Sequence, residues 1–109
     1  MKMIITIVQD EDERLLGQAF READIAVTKL STTGGFLKSG NTTFLSGVED
    51  GRVNEVLALI KENCQSRKQY IPSPINYDLD MEMTDAFPIR VDVGGAIVFV
   101  LPVDSFYRF

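Results

Sequence analysis

The 109-residue sequence has no histidine, no tryptophan and a single cysteine, Cys64. Without an imidazole, neither Ser-His-Asp nor Cys-His catalysis is available, and no histidine metal site can form. A lone cysteine closes no internal disulfide, which fits a reducing compartment. No run approaches the ~18 apolar residues that a membrane span requires. The apolar stretch before Asp10 is too short for a secretory signal, so the chain reads as cytoplasmic. Positive charge is also scarce: 11 Lys and Arg against 16 Asp and Glu give a net charge of −5. That balance argues against a nucleic-acid surface. A small dianion is not excluded, because backbone donors can outweigh net charge locally.

What is present suffices for one domain, residues 1–109. The chain is 45% hydrophobic, enough to bury a core. Met3 to Val8 is β-branched and nearly all apolar, the pattern of a buried central strand. Asp10 and Glu13 then have capping-box spacing, and Glu11, Asp12 and Glu13 read as a solvated helix start rather than a metal site. Leu15, Leu16, Ala19, Phe20 and Ala23 form one helical face, which Asp24 ends. Residues 25–31 and 42–49 read as an antiparallel pair. In the first of these, Thr28 and Leu30 share a face opposite Val27, Lys29 and Ser31. Asp50 is a candidate cap for a second helix, whose apolar stripe is Val53, Val56, Leu57, Ile60 and Cys64. A long irregular loop is expected over 66–88, with acids at Asp78, Asp80, Glu82 and Asp85 but no calcium-loop spacing. Residues 89–93 and 96–103 read as strands joined by a tight Gly94-Gly95 hairpin.

The expected fold is α+β and ferredoxin-like: a β-α-β-β-α-β antiparallel sheet, both helices on one face, plus an extra C-terminal hairpin strand. The first and last strands are apolar on both sides. One sheet face therefore needs a cover, and self-association is the simplest one.

The chemistry concentrates in the Gly-rich loop at 32–41 and its flanks. Gly34, Gly35 and Gly40 permit tight turns and close ligand approach. Phe36 and Leu37 are bulky apolar residues inside an otherwise polar loop. Thr28, Ser31, Thr32, Thr33, Ser39, Asn41 and Thr42 offer neutral donors and acceptors, and Lys29 and Lys38 offer positive charge. This mixture suits a nucleotide, although neither a Walker loop nor a dinucleotide fingerprint is present. A Gly-rich hairpin loop with Phe36 facing an oligomer partner fits the pattern equally well. No carboxylate, lysine or tyrosine pair stands out for catalysis, so a non-enzyme is expected.

The segments Thr28-Lys29-Leu30, Thr32-Thr-Gly-Gly-Phe-Leu-Lys38, Gly40-Asn-Thr-Thr-Phe44, Gly47-Val48 and Val93-Gly-Gly-Ala96 through Pro102-Val103 resemble the PII-like cyclic di-AMP receptors of Gram-positive bacteria. The resemblance runs from Met1 to Phe109. It implies a single PII-like domain, a homotrimer with ligand pockets between subunits, and binding of cyclic di-AMP without turnover or any further cofactor. It also implies signalling by loop ordering to an unidentified downstream protein, with no nucleic acid or membrane as partner. Carried onto this chain, Thr28 and Asn41 would hydrogen-bond adenine, and Phe36 and Leu37 would pack on the base. Gly35 and Gly47 would let backbone approach the ligand, and Phe99 would help line the pocket. The chain departs from the family pattern in three places. Ala26 replaces a basic residue, Tyr107-Arg108-Phe109 replaces a His-Gln-Phe ending, and residues 76–84 replace a Met-Gly-Gly-rich stretch. Arg108 would restore some positive charge at the pocket. The alternative is a PII-like interaction module that has lost or changed its nucleotide.

Overall fold

A computed structural model describes residues 1–32, 40–71 and 89–109, without the side chains of Tyr70, Ile71 and Ile89. In chain order the elements are β1 (Lys2–Gln9), α1 (Asp10–Glu22), β2 (Thr28–Thr32), β3 (Asn41–Val48), α2 (Val53–Cys64), β4 (Arg67–Ile71), β5 (Ile89–Val93) and β6 (Ala96–Pro102). Four strands form an antiparallel sheet in the order β2-β3-β1-β6. This is the ferredoxin-like arrangement expected from the sequence, with β1 at the centre as its continuous apolar run requires.

The core lies between the sheet and the two helices. Ile4 and Val8 from β1 meet Leu16 and Phe20 from α1, Phe44 and Val48 from β3, and Val56, Ile60 and Cys64 from α2. The Phe20 and Phe44 rings pack edge to face, with centroids 5.5 Å apart, the arrangement favoured by the ring quadrupoles. Full burial of a side chain this large contributes roughly 1.5–3 kcal/mol. Leu15, read from the sequence as part of the buried stripe, is half exposed.

Helix α1 ends at Asp24, which adopts a left-handed φ of 59°. The Asp24 N–H donates to the Arg21 carbonyl and the Ile25 N–H to the Phe20 carbonyl, a Schellman-type closure. At the other end, Asp10 is not the cap. It is the first helical residue, Gln9 holds the cap position, and no side chain caps the helix. The Asp10 carboxylate instead accepts from Thr42 Oγ1 at 2.7 Å, while its N–H donates to the Gly40 carbonyl at 3.0 Å. Asp10 thus ties the helix start to the start of β3. Asp50 likewise begins a short 3₁₀ turn, Asp50–Arg52, ahead of α2.

The last strand, β6, expected as an extra hairpin strand, instead completes the main sheet beside β1, and it is the strand before it that pairs elsewhere. β5 joins β4 in a separate two-stranded antiparallel ribbon, from Arg67 opposite Val93 to Ile71 opposite Ile89. Arg67–Ile71, assigned from sequence to the long loop, is therefore a strand; residues 72–88 of that loop lie outside the described residues. Gly94-Gly95 consequently does not form a two-residue hairpin between paired strands. It is the joint where the chain leaves the ribbon for the main sheet, with φ of +80° and +93°, a region side chains avoid.

Candidate functional site

Cross-strand register places the sequence-predicted residues. Directly opposed residues share a sheet face, and Thr28 opposes Leu45, which opposes Ile5, which opposes Phe99. Thr28 and Phe99, from the first and last thirds of the chain, therefore lie in one row across all four strands. A second row runs Gly47, Met3, Leu101, and a third runs Leu30, Thr43, Ile7, Ile97. At the end of the face, Asn41 sits between Thr32 and Gln9. All of these residues occupy the face away from the helices, because Ile4, Val8 and Phe44 on the alternate positions are the ones buried in the core.

This helix-free face is apolar in its middle and polar at one end. Leu30, Phe99 and Leu101 are exposed. Thr28 and Gly47 are exposed as well. At the polar end, Thr32 Oγ1 lies 3.0 Å from Thr43 Oγ1 and donates to the Asn41 carbonyl at 3.3 Å. Asn41 is only 3% exposed, yet its Oδ1 has no hydrogen-bond partner among the described residues. A buried carbonyl oxygen left unpaired costs roughly 1–3 kcal/mol. Such a group therefore points to a donor beyond the described residues.

Lys29 is not part of this face. It lies on the helix side opposite Phe44 and forms an ion pair with Glu13. The positive charge assigned to it from sequence is thus spent on α1. A hollow of 620 Å³ on that side is lined by Glu13, Arg14, Arg21, Ala26, Lys29 and Phe44 among others. Thr28, Asn41, Gly47 and Phe99 line neither this hollow nor the one between α2 and β6. On this face Thr28, Gly47 and Phe99 are exposed, whereas Asn41 is buried at its polar end.

Arg108 lies in the tail beyond β6 and is exposed. Its neighbours Tyr107 and Phe109 stack with centroids 6.3 Å apart. The tail begins where the Val103 N–H donates to the Met1 carbonyl at 3.2 Å. Gly35, Phe36 and Leu37 lie outside the described residues, as does Lys38.

Two residues near the site were missed by the sequence reading. Asp12 is not a solvated helix-start acid: it is 1% exposed and its Oδ1 accepts from Arg67 Nη2 at 2.9 Å. Gln9 Oε1 accepts from the Gly94 N–H at 2.7 Å. The signal for Asp12 was its i, i+4, i+8 spacing with Leu16 and Phe20, which a carboxylate in that stripe disguised. The described residues include no cluster of three or more His, Cys, Asp or Glu able to hold a metal. No helix among them is long and apolar enough to cross a membrane.

The chain is similar over nearly its whole length to a solved structure from Pediococcus pentosaceus ATCC 25745, described as a functionally unknown protein. The two are 48% identical, the match covers 99% of this chain and 96% of that one, and the TM-score is 0.80. The sequence profile of the family described as cyclic-di-AMP receptor matches residues 1–109, the entire sequence. The chain belongs to the cyclic-di-AMP receptor family.

Proposed function

We propose that this protein is a non-catalytic signalling receptor that binds cyclic di-AMP between neighbouring copies of a cytoplasmic homotrimer. In this reading residues 1–109 form one PII-like domain. Thr28 and Asn41 hydrogen-bond adenine, Phe99 lines the pocket, and Gly47 admits close approach of the ligand. Gly35, Phe36 and Leu37 close on the base from the Gly-rich loop, and Arg108 supplies positive charge from the tail. Ordering of the loops around bound ligand then presents a surface to a downstream protein.

Asn41 carries the reading. Its buried Oδ1 has no partner among the described residues, and the exocyclic amino group of adenine is a donor that would suit it. Membership of a receptor family supports binding rather than turnover. The apolar rows Met3–Leu101, Ile5–Leu45–Phe99 and Ile7–Ile97 support a neighbouring copy as the cover of the open face.

Calorimetry with cyclic di-AMP, ATP and cyclic di-GMP tests the proposal. Heat is expected for cyclic di-AMP, and its absence at high micromolar ligand would sink the reading. One observation favours a receptor with a changed nucleotide: Ala26 is uncharged and Lys29 is turned to Glu13, so this region brings little positive charge to a dianion. A preference for another nucleotide in the same titrations would identify that case.

A further inference from the structure

Gln9 stands at a junction. It is the last residue of β1, opposite Asn41, and its side-chain carbonyl accepts from the Gly94 N–H at 2.7 Å. Gly94 is the joint between the ribbon and the main sheet, and it is crowded. A side chain there would meet the Arg67 guanidinium, the Gln65 carbonyl at 2.9 Å and Asp12 Oδ2 at 3.2 Å. The next N–H, of Gly95, donates to the Cys64 carbonyl. Arg67, the first residue of β4, is held by Asp12 and by the Gln65 carbonyl at 3.3 Å. Both strands of the ribbon are thus anchored at one knot beside Gln9.

We infer that Gln9 is a positioning residue that couples Asn41 to the β4–β5 ribbon. The inference rests on the reading of Asn41 as a ligand-binding residue and adds the route by which binding is felt elsewhere. Side chains of directly opposed residues lie about 4.5–5.5 Å apart at Cβ, so a purine held by Asn41 limits the room in which the Gln9 side chain moves. A fixed Gln9 holds Gly94, and Gly94 fixes the base of the ribbon. Gln9 itself need not touch the ligand. Its amide has one carbonyl, and that carbonyl is engaged by Gly94.

Hydrogen exchange on the full-length protein, with and without saturating cyclic di-AMP, tests the coupling. In the wild type, exchange at Gly94 and in Arg67–Ile71 and Ile89–Val93 should slow several-fold to about tenfold on binding, the effect of one net hydrogen bond. Gln9→Met keeps the length of the side chain but accepts nothing from Gly94. It should still give heat with cyclic di-AMP while the ribbon amides no longer respond. Gln9→Glu, which retains an acceptor at that position, should restore the response. Gln9→Asn, too short to reach Gly94, is a second disconnecting variant should Gln9→Met fail to fold. A ribbon that responds to ligand as strongly in the disconnecting variants as in the wild type overturns the inference. So does a wild-type ribbon that is unmoved although calorimetry shows binding. Absence of binding by the wild type overturns instead the reading of Asn41, and this coupling with it.

Discussion

Arg67 Nη2 lies 2.9 Å from Asp12 Oδ1, joining the first turn of α1 to the first residue of β4. The carboxylate is buried, whereas the guanidinium is about half exposed. The pair is therefore asymmetric: removing Arg67 leaves a buried charge without its partner, which destabilises far more than losing an exposed pair.

Arg67→Met should accordingly lower stability by about 1–3 kcal/mol, with part of the buried-pair effect offset by solvent reaching the vacated site. Arg67→Met combined with Asp12→Asn should recover some of that loss, because no unpaired charge remains. Urea denaturation measures both. A change below about 0.5 kcal/mol in the single variant would show that Asp12 does not depend on Arg67.

Asn41→Ala should separate binding from folding. The Asn41 Oδ1 has no partner within the described residues, so its removal should change the melting behaviour of the ligand-free protein little. Loss of a hydrogen bond to bound adenine should weaken cyclic di-AMP about tenfold. Calorimetry and thermal denaturation on the same preparation decide the matter. Unchanged affinity would remove Asn41 from the site.

Leu101→Asp places a charge in the apolar row with Gly47 and Met3. Across an interface between copies, an unpaired buried charge is strongly unfavourable. Sedimentation should show the wild type as a trimer and the variant as a smaller species with unchanged secondary structure. A monomeric wild type at micromolar concentration would contradict the proposed assembly.

Burial pushes the Cys64 thiol up to about 12, with the nearby Asp12 carboxylate acting in the same direction and Arg67 partly opposing it. The thiol of the folded protein stays protonated while that of the unfolded chain, near 9.0, ionises. Stability from this group is fully present below pH 9 and is lost as pH rises from about 9 to about 12, by at most ~1.4 kcal/mol per pH unit. Comparing denaturation of wild type and Cys64→Ala across that window isolates the contribution. A thiol reagent at pH 8 should label native Cys64 slowly and the unfolded chain rapidly.

Gly94→Ala should destabilise more than Gly95→Ala. Both positions have positive φ, which costs a side chain about 1–2 kcal/mol. Only Gly94 adds a clash with the Gln65 backbone carbonyl, whereas a Cβ at Gly95 meets nothing closer than Ser66 Cβ at 3.9 Å. Equal effects of the two substitutions would show that backbone strain alone governs the joint.

The ferredoxin-like frame was legible because each of its elements announces itself locally. β1 is a continuous β-branched run, and α2 carries its apolar residues at helical spacing. The partner of β5 was not legible. Alternating Ile89, Val91 and Val93 say that a strand exists but not which edge it joins, and Arg67–Ile71 has too few apolar residues to declare itself. Asp12 was misread for a related reason: acids at a helix start are usually solvated, and only the fold brings Arg67 to its side.

The sequence by itself determined the two helices, the strands β1, β2, β3, β5 and β6, the central place of β1 and the family to which the chain belongs, since these reside in hydrophobic period and in contiguous motifs. Tertiary structure alone decided that Thr28, Asn41, Gly47 and Phe99 share one face, that Lys29 is turned from it toward Glu13, and that Gln9 holds Gly94. These follow from strand register and from contacts between residues distant in the chain. Such relationships are set by how apolar faces pack together, and they leave no mark in the local order of residues.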